Sequence, residues 1–233
     1  MSDAIPVLLF LCLATVFTLV PTLGPRRARR RCRATALDLR TDYRFTPAPG
    51  IRPLSELSSG APFHYGSHRE VLDPVSGAFA GLTGEVFSYT CKENGSRHWY
   101  QVAVVRLGRD LPPIEVQHEP VFTSARVRLP WADPQRPTGV PEFDADYRAS
   151  SPDDRLAGTL ITPGLASTLL AAPEPFDLRV EGGLLVLWRR DGWTSGAALV
   201  GCCLAAVHAL APVLDLDPDL FGAPRSVPGP EAD

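Results

Sequence analysis

Residues 86–107 read VFSYTCKENGSRHWYQVAVVRL, two strands around a tight turn. Val86 to Cys91 is strand-like and Trp99 to Leu107 is β-branched and aromatic, while the link from Lys92 to Ser96 carries Asn94-Gly95. Asn-Gly suits a two-residue hairpin because both turn positions take positive φ. Downstream, Ile114 to His118 and Val121 to Leu129 add short extended pieces, with Pro112 and Pro113 marking an edge or a strand start, and residues 130–141 form a Pro-rich connection. Phe143, Ala145, Tyr147 and Ala149 alternate with Asp144, Asp146 and Arg148, as in a half-buried strand. Ser151-Pro152-Asp153-Asp154 supplies a cap, a first-turn proline and two acids, so a helix is predicted there with Leu156, Leu160 and Ile161 on its apolar face. Pro163 breaks it before a second helical piece that runs through Leu170. Phe176, Leu178 and Val180 then alternate with Asp177, Arg179 and Glu181, Gly182-Gly183 offers a turn, and Leu184 to Trp188 returns as a second hairpin.

Ser195 to Leu214 is twenty residues without a charge. Leu199, Val200, Cys203, Leu204, Val207, Leu210 and Leu214 share one arc of a helix, and Ala197, Gly201, Ala205 and His208 lie opposite. That pattern predicts a helix lying on the sheet, and His208 and Pro212 argue against a membrane span. The row Ala197, Gly201, Ala205 and Ala209 offers a third, weaker reading as a contact with another helix.

Toward the amino terminus, residues 34–80 are rich in Pro, Gly and Ser with no sustained period, and read as a linker or loose lead-in. Before them, Ile5 to Gly24 (IPVLLFLCLATVFTLVPTLG) is uncharged and of the length that crosses a bilayer. Asp3 precedes it and six arginines follow, Arg26, Arg27, Arg29, Arg30, Arg31 and Arg33. A cleaved signal peptide carries its positive charge ahead of the apolar run, so the segment reads as an anchor. The arginines keep their end in the cytoplasm and contact anionic headgroups, which leaves the amino terminus outside.

The sequence thus predicts an α+β protein: an N-terminal transmembrane helix followed by an antiparallel sheet of hairpins packed with two or three helices. Residues 1–25 form the anchor, 26–81 a basic juxtamembrane segment and linker, 82–214 a cytoplasmic domain and 215–233 a flexible tail. Among 233 residues the net charge is −3, and removing the six clustered arginines leaves −9. No aromatic residues interleave with the arginines, so nucleic acid is not an expected partner. Gly is far from a third of the residues, charged heptads are missing and five cysteines are too few, which excludes collagen-like, coiled-coil and disulfide-framework proteins.

The stretch FDADYRASSPDDRLAGTLITPGLASTLL, followed by FDLRVEGGLLVLW and a closing helix, resembles a family of bacterial, actinobacterial-type, membrane-anchored proteins of unknown function. The matching positions are Phe143, Tyr147, Ser150, Asp153, Ala157, Leu160, Ile161, Thr162, Pro163, Leu169 and Leu170, together with the upstream VVRLGRDLPPIEV. About half the chain is covered. The resemblance implies an anchored α+β architecture and carries no catalytic residue; the uncharged final helix departs from the more polar outer face expected of the family.

Few residues suggest chemistry. His64 and His68 have the spacing of two imidazoles on one helical face, yet Gly66 and the loop composition oppose a helix and no general base accompanies them. Cys91 and His98 bracket the Asn-Gly turn and are able to meet as nucleophile and base, but no orienting third group is visible. Cys202-Cys203 read as small core residues. Asp215, Asp217 and Asp219 begin like a calcium loop, but Leu220 stands at the required glycine and Ser226 at the required glutamate. Asn94-Gly95-Ser96 is also a glycosylation sequon, for which a cytoplasmic hairpin turn is a sufficient explanation. No cofactor, metal or disulfide is expected, and the reading is a non-catalytic binding or scaffolding module with an unknown protein partner. The alternative is an unrecognised enzyme using Cys91/His98 or His64/His68.

Overall fold

The computed structural model describes residues 24–48, 60–118, 138–151 and 161–214. Helix α1 covers residues 24–42. There follow β1 (Thr46–Pro47), β2 (Ser67–Phe79), β3 (Leu82–Glu93), β4 (Ser96–His118), α2 (Pro141–Asp146), β5 (Tyr147–Ser150), α3 (Pro163–Ala171), β6 (Asp177–Arg190) and α4 (Gly196–Leu214). Every strand pairing is antiparallel, in one six-stranded sheet.

The β3–β4 hairpin forms as its sequence dictates. Its ladder runs from Gly84 opposite Val105 to Glu93 opposite Ser96, and Asn94 and Gly95 turn with φ of 49° and 79°. Strand β4 then continues through Pro112-Pro113 to His118 and becomes the axis of the sheet. One edge of β4 carries β3 and, further along, β5; the other carries β6 over nearly its whole length.

Gly182-Gly183 is accordingly no hairpin turn. Residues 177–190 are one strand, paired with β4 on both sides of an irregularity near Leu111. Gly182 takes a φ of 56° there, opposite Leu111, a conformation glycine adopts without steric cost. The paired irregularities in β4 and β6 change which side chains point to which face. Ala103 and Val105 share a face with Ile114 and Val116, and Leu178 and Val180 with Leu185 and Leu187.

That face is covered by helices. Leu199, Val200, Cys203, Ala206, Val207 and Leu210 of α4 are buried in a core with Leu165, Ala166 and Leu169 of α3, Leu39 of α1 and Trp193. Each fully buried Leu or Val contributes about 1.5–3 kcal/mol, so this aliphatic stripe docks α4 on the sheet as its periodicity predicts. Thr162 caps α3 by accepting the Leu165 N–H at 3.1 Å, with Pro163 in the first turn, where its missing N–H costs nothing.

Three other expectations are corrected. Residues 143–146, expected to open the strand that runs to Ala149, belong instead to α2. Pro141 leads that turn, and the Asp144 carboxylate takes the N–H of Thr138 at 3.0 Å and its hydroxyl at 2.8 Å, which fixes the helical turn locally. Phe143 and Tyr147 still meet, stacked at 5.1 Å, because a spacing of four satisfies both periods. Within the stretch read as linker, Ser67–Phe79 is a sheet strand; positive φ at His68 and Asp73 and register shifts beside both erase its alternation. Residues 24–42, read as the start of a juxtamembrane segment, are a helix that buries Ala28, Cys32, Thr35, Ala36 and Leu39 against the sheet, an i, i+4, i+7, i+8, i+11 stripe.

The apolar run up to residue 23, the extended piece at 121–129, the helix expected over 152–160 and the aspartates after 214 lie outside the described residues. No helix among the described residues is long and apolar enough to cross a membrane, α4 included.

Candidate functional site

Among the described residues, no helix covers the second face of the sheet. It is aromatic at one end, with Phe87, Tyr89, Tyr100, Val102 and Trp188 buried beneath Ala61 and Phe63 of a turn over residues 60–65. Phe63 sits edge-on to Tyr89 at 5.3 Å, and the Tyr89 hydroxyl donates to the Phe63 carbonyl at 3.3 Å. Burial pushes the Tyr89 phenol up to about 12. These rings therefore act as packing surface near neutral pH, with no role in proton transfer.

Beyond the irregularity the same face turns polar. Arg179 on β6 lies opposite Glu115 on β4, and its guanidinium pairs with Glu181 at 3.2 Å. Gln117 donates to the Tyr65 hydroxyl at 3.2 Å and to the Glu115 carboxylate. Arg179 is only 4% exposed, and Gly60 lies so close over it that a Cβ there would fall 1.5 Å from its Nη1. Burial pulls the Arg179 pKa below the usual arginine value, and Glu181 and then Glu115 oppose that shift. A guanidinium does not give up its proton in such a site.

Sequence reasoning missed this cluster because Arg179 and Glu181 alternate with apolar residues and so read as solvent-facing. The signal was nevertheless present: one strand with charged residues on one face and, after two glycines, Val186 and Trp188 on the other parity.

Of the two pairs singled out for chemistry, the structure brings Cys91 and His98 together and keeps His64 and His68 from sharing a helical face. Cys91 and His98 are directly opposite in the β3–β4 ladder, yet Cys91 is buried and desolvation raises its thiol pKa, the reverse of what a nucleophile requires. His98 pairs with Arg190 through Nδ1 at 2.6 Å and lies 3.9 Å from the Glu93 carboxylate. His64 belongs to the turn and packs on Tyr65 at 4.2 Å, whereas His68 is exposed on β2, so the two never share a helical face. Among the described residues no group of three or more His, Cys, Asp or Glu is arranged for a metal ion. Cys202 and Cys203 are buried in the helical core, where desolvation raises both thiols. Of the six clustered arginines, Arg26, Arg27, Arg29, Arg30 and Arg33 are exposed on α1 and Arg31 is half-buried; Arg29 lies over Trp99 at 5.9 Å.

A single antiparallel sheet with helices on one face and a loop-covered aromatic and polar patch on the other defines an α+β fold. A solved structure shares that fold: the mycobacterial trehalose monomycolate transport factor A, TtfA, superposes with a TM-score of 0.54 over 82% of this chain and 96% of that one. The two are 14% identical in sequence, so the likeness is one of fold. No protein-family model and no curated protein matches the sequence.

Proposed function

We propose that this chain is a single-pass protein of the cell membrane, its amino terminus outside and its main domain in the cytoplasm, where it acts as a non-catalytic binding or scaffolding module for a membrane transport process. The observation that carries the reading is the fold shared with a transport factor over 82% of the chain. The uncharged run from Ile5 to Gly24 and the arginines that follow support the anchor and its orientation. The burial of Cys91, whose thiol pKa desolvation raises, and the separated His64 and His68 weigh against catalysis at those positions. The partner's contact falls on the face covered by residues 60–65, where aromatic rings adjoin the Arg179 cluster. Aromatic and arginine side chains are the usual anchors of protein interfaces.

Two reporters fused after Asp233, one fluorescent only in the cytoplasm and one active only outside it, test the topology. A fluorescent cytoplasmic fusion is expected; activity of the external one overturns the orientation. Crosslinking of the full chain in its native membrane tests the module. One reproducible membrane-protein partner, lost with Tyr65→Ala, is expected, and the absence of any reproducible partner counts against scaffolding.

A further inference from the structure

Helix α1 has two opposed stripes. Ala28, Cys32, Thr35 and Leu39 are buried against the helical side of the sheet, where the Cys32 carbonyl accepts from Gln101 and the Asp38 carboxylate accepts the Gly196 N–H at 3.0 Å at the start of α4. Arg26, Arg30, Arg33 and Leu37 repeat the same spacing on the other side. At about 100° per residue they fall within a sector of roughly 60° centred opposite the buried stripe. All four are exposed, Leu37 to 60%, the most of any large apolar side chain among the described residues. Arg29 and Arg40 flank them, and the helix carries seven arginines against Asp38 and Asp42. Asp38 is already engaged at α4, and Arg33 makes an exposed, long contact of 3.7 Å to Asp73.

We infer that the outer stripe of α1 lies along an anionic phospholipid surface, with Arg26, Arg30 and Arg33 on headgroup phosphates and Leu37 dipping into the boundary with the acyl chains. Cations around an apolar side chain on the solvent face of a helix are the composition of an interfacial helix. The inference rests on the anchored reading for its geometry, because Gly24 would hold the first turn of α1 at the bilayer surface. It adds an orientation. Since α1 covers the helical side of the sheet, the face under residues 60–65 is turned away from the lipid and toward the cytosol.

The full chain with Leu37→Cys, labelled with an environment-sensitive dye, tests this; Cys32, Cys91, Cys202 and Cys203 are buried, and Cys12 is replaced by Ser. It is mixed with vesicles of phosphatidylcholine alone, or with phosphatidylcholine containing phosphatidylglycerol, each carrying a quencher on the lipid headgroup. The expected result is quenching on the anionic vesicles only, reversed by about 0.5 M salt because a short Debye length screens the arginines. Arg26→Gln, Arg30→Gln and Arg33→Gln together should lower the bound-to-free ratio of the helix by roughly a hundredfold, at about fivefold per arginine. Equal quenching on both vesicle types, no quenching on either, or stronger protection by duplex DNA than by anionic lipid would overturn the inference. Flotation with neutral vesicles reports the anchor separately. A chain that fails to float defeats the anchored reading, while the dye response to added anionic vesicles still decides the fate of α1.

Discussion

The two faces of one sheet are finished in different ways. The helical face is closed by elements from both ends of the described chain, α1 and α4, joined by the contact of Asp38 with Gly196, and its large interior mixes aliphatic side chains with Phe45, Phe79, Phe143, Tyr147, Phe176 and Trp193. Among the described residues the other face is covered by 60–65, and beneath them lie packed rings that give way to the buried Arg179 and its half-exposed partner Glu181. A thick cover over a large core secures the fold. A thin cover over aromatic and charged groups can be displaced or extended by a partner at lower cost, because few contacts must break before the face is reached.

The largest effects that test this contrast come from two fully buried tryptophans. Trp193→Ala on the helical face and Trp188→Ala on the other should each cost about 3–5 kcal/mol in urea unfolding, with Trp188→Ala at the lower end because residues 60–65 can settle into the space. A larger cost at Trp188 would mean that the thin cover is as rigid as the helices. Next, Arg179→Ala should cost about 2 kcal/mol by removing a buried side chain and the charged partner of half-exposed Glu181, and adding Glu181→Gln should recover part of that loss. Additive losses in the double variant would show that the pair is not coupled. Gly95→Ala, at a φ of 79° with open space around it, should cost only about 1 kcal/mol and weaken both faces alike, since the hairpin serves both.

Smaller still are the thiol effects. If the thin cover opens more readily, a neutral alkylating reagent in excess should modify Cys91 before Cys203; the reverse order would place the weaker cover on the helical side. Cys32 ionises near 9.0 when exposed and near 11 in the fold, where burial disfavours the thiolate. Its folded pKa is raised, so its contribution to stability is complete below pH 9 and is lost as pH climbs toward 11. Cys32→Ala should flatten that alkaline limb in urea titrations at stepped pH; an unchanged slope would assign it to tyrosines such as Tyr89.

The parts legible in the sequence were those set by neighbours along the chain. Asn94-Gly95 fixed a hairpin, Thr162-Pro163 fixed a helix start, and the stripe from Leu199 to Leu210 fixed both α4 and its buried face. What escaped was set by partners far away. Gly182-Gly183 looks the same whether the chain reverses there or passes through an irregularity, and only the distant β4 selects the second. In β2, two positive-φ residues cancel the period of two that announces a strand. The Arg179 cluster was legible only in part: the change of parity across the two glycines of β6 is in the sequence, but nothing local says that residues 60–65 will fold over its charged stretch.

Strand β4 gives the molecule a schedule. It pairs with β3 across two residues, a closure of microseconds, but its other edge waits for β6, with Arg106 opposite Leu184 nearly eighty residues later. At ribosomal rates that interval is about 4–16 s. Throughout it, an apolar strand edge stands open. The charges that β4 carries along that edge, Arg106, Arg109, Asp110 and Glu115, then have a second use, guarding an unfinished sheet against its copies until its own last strand arrives.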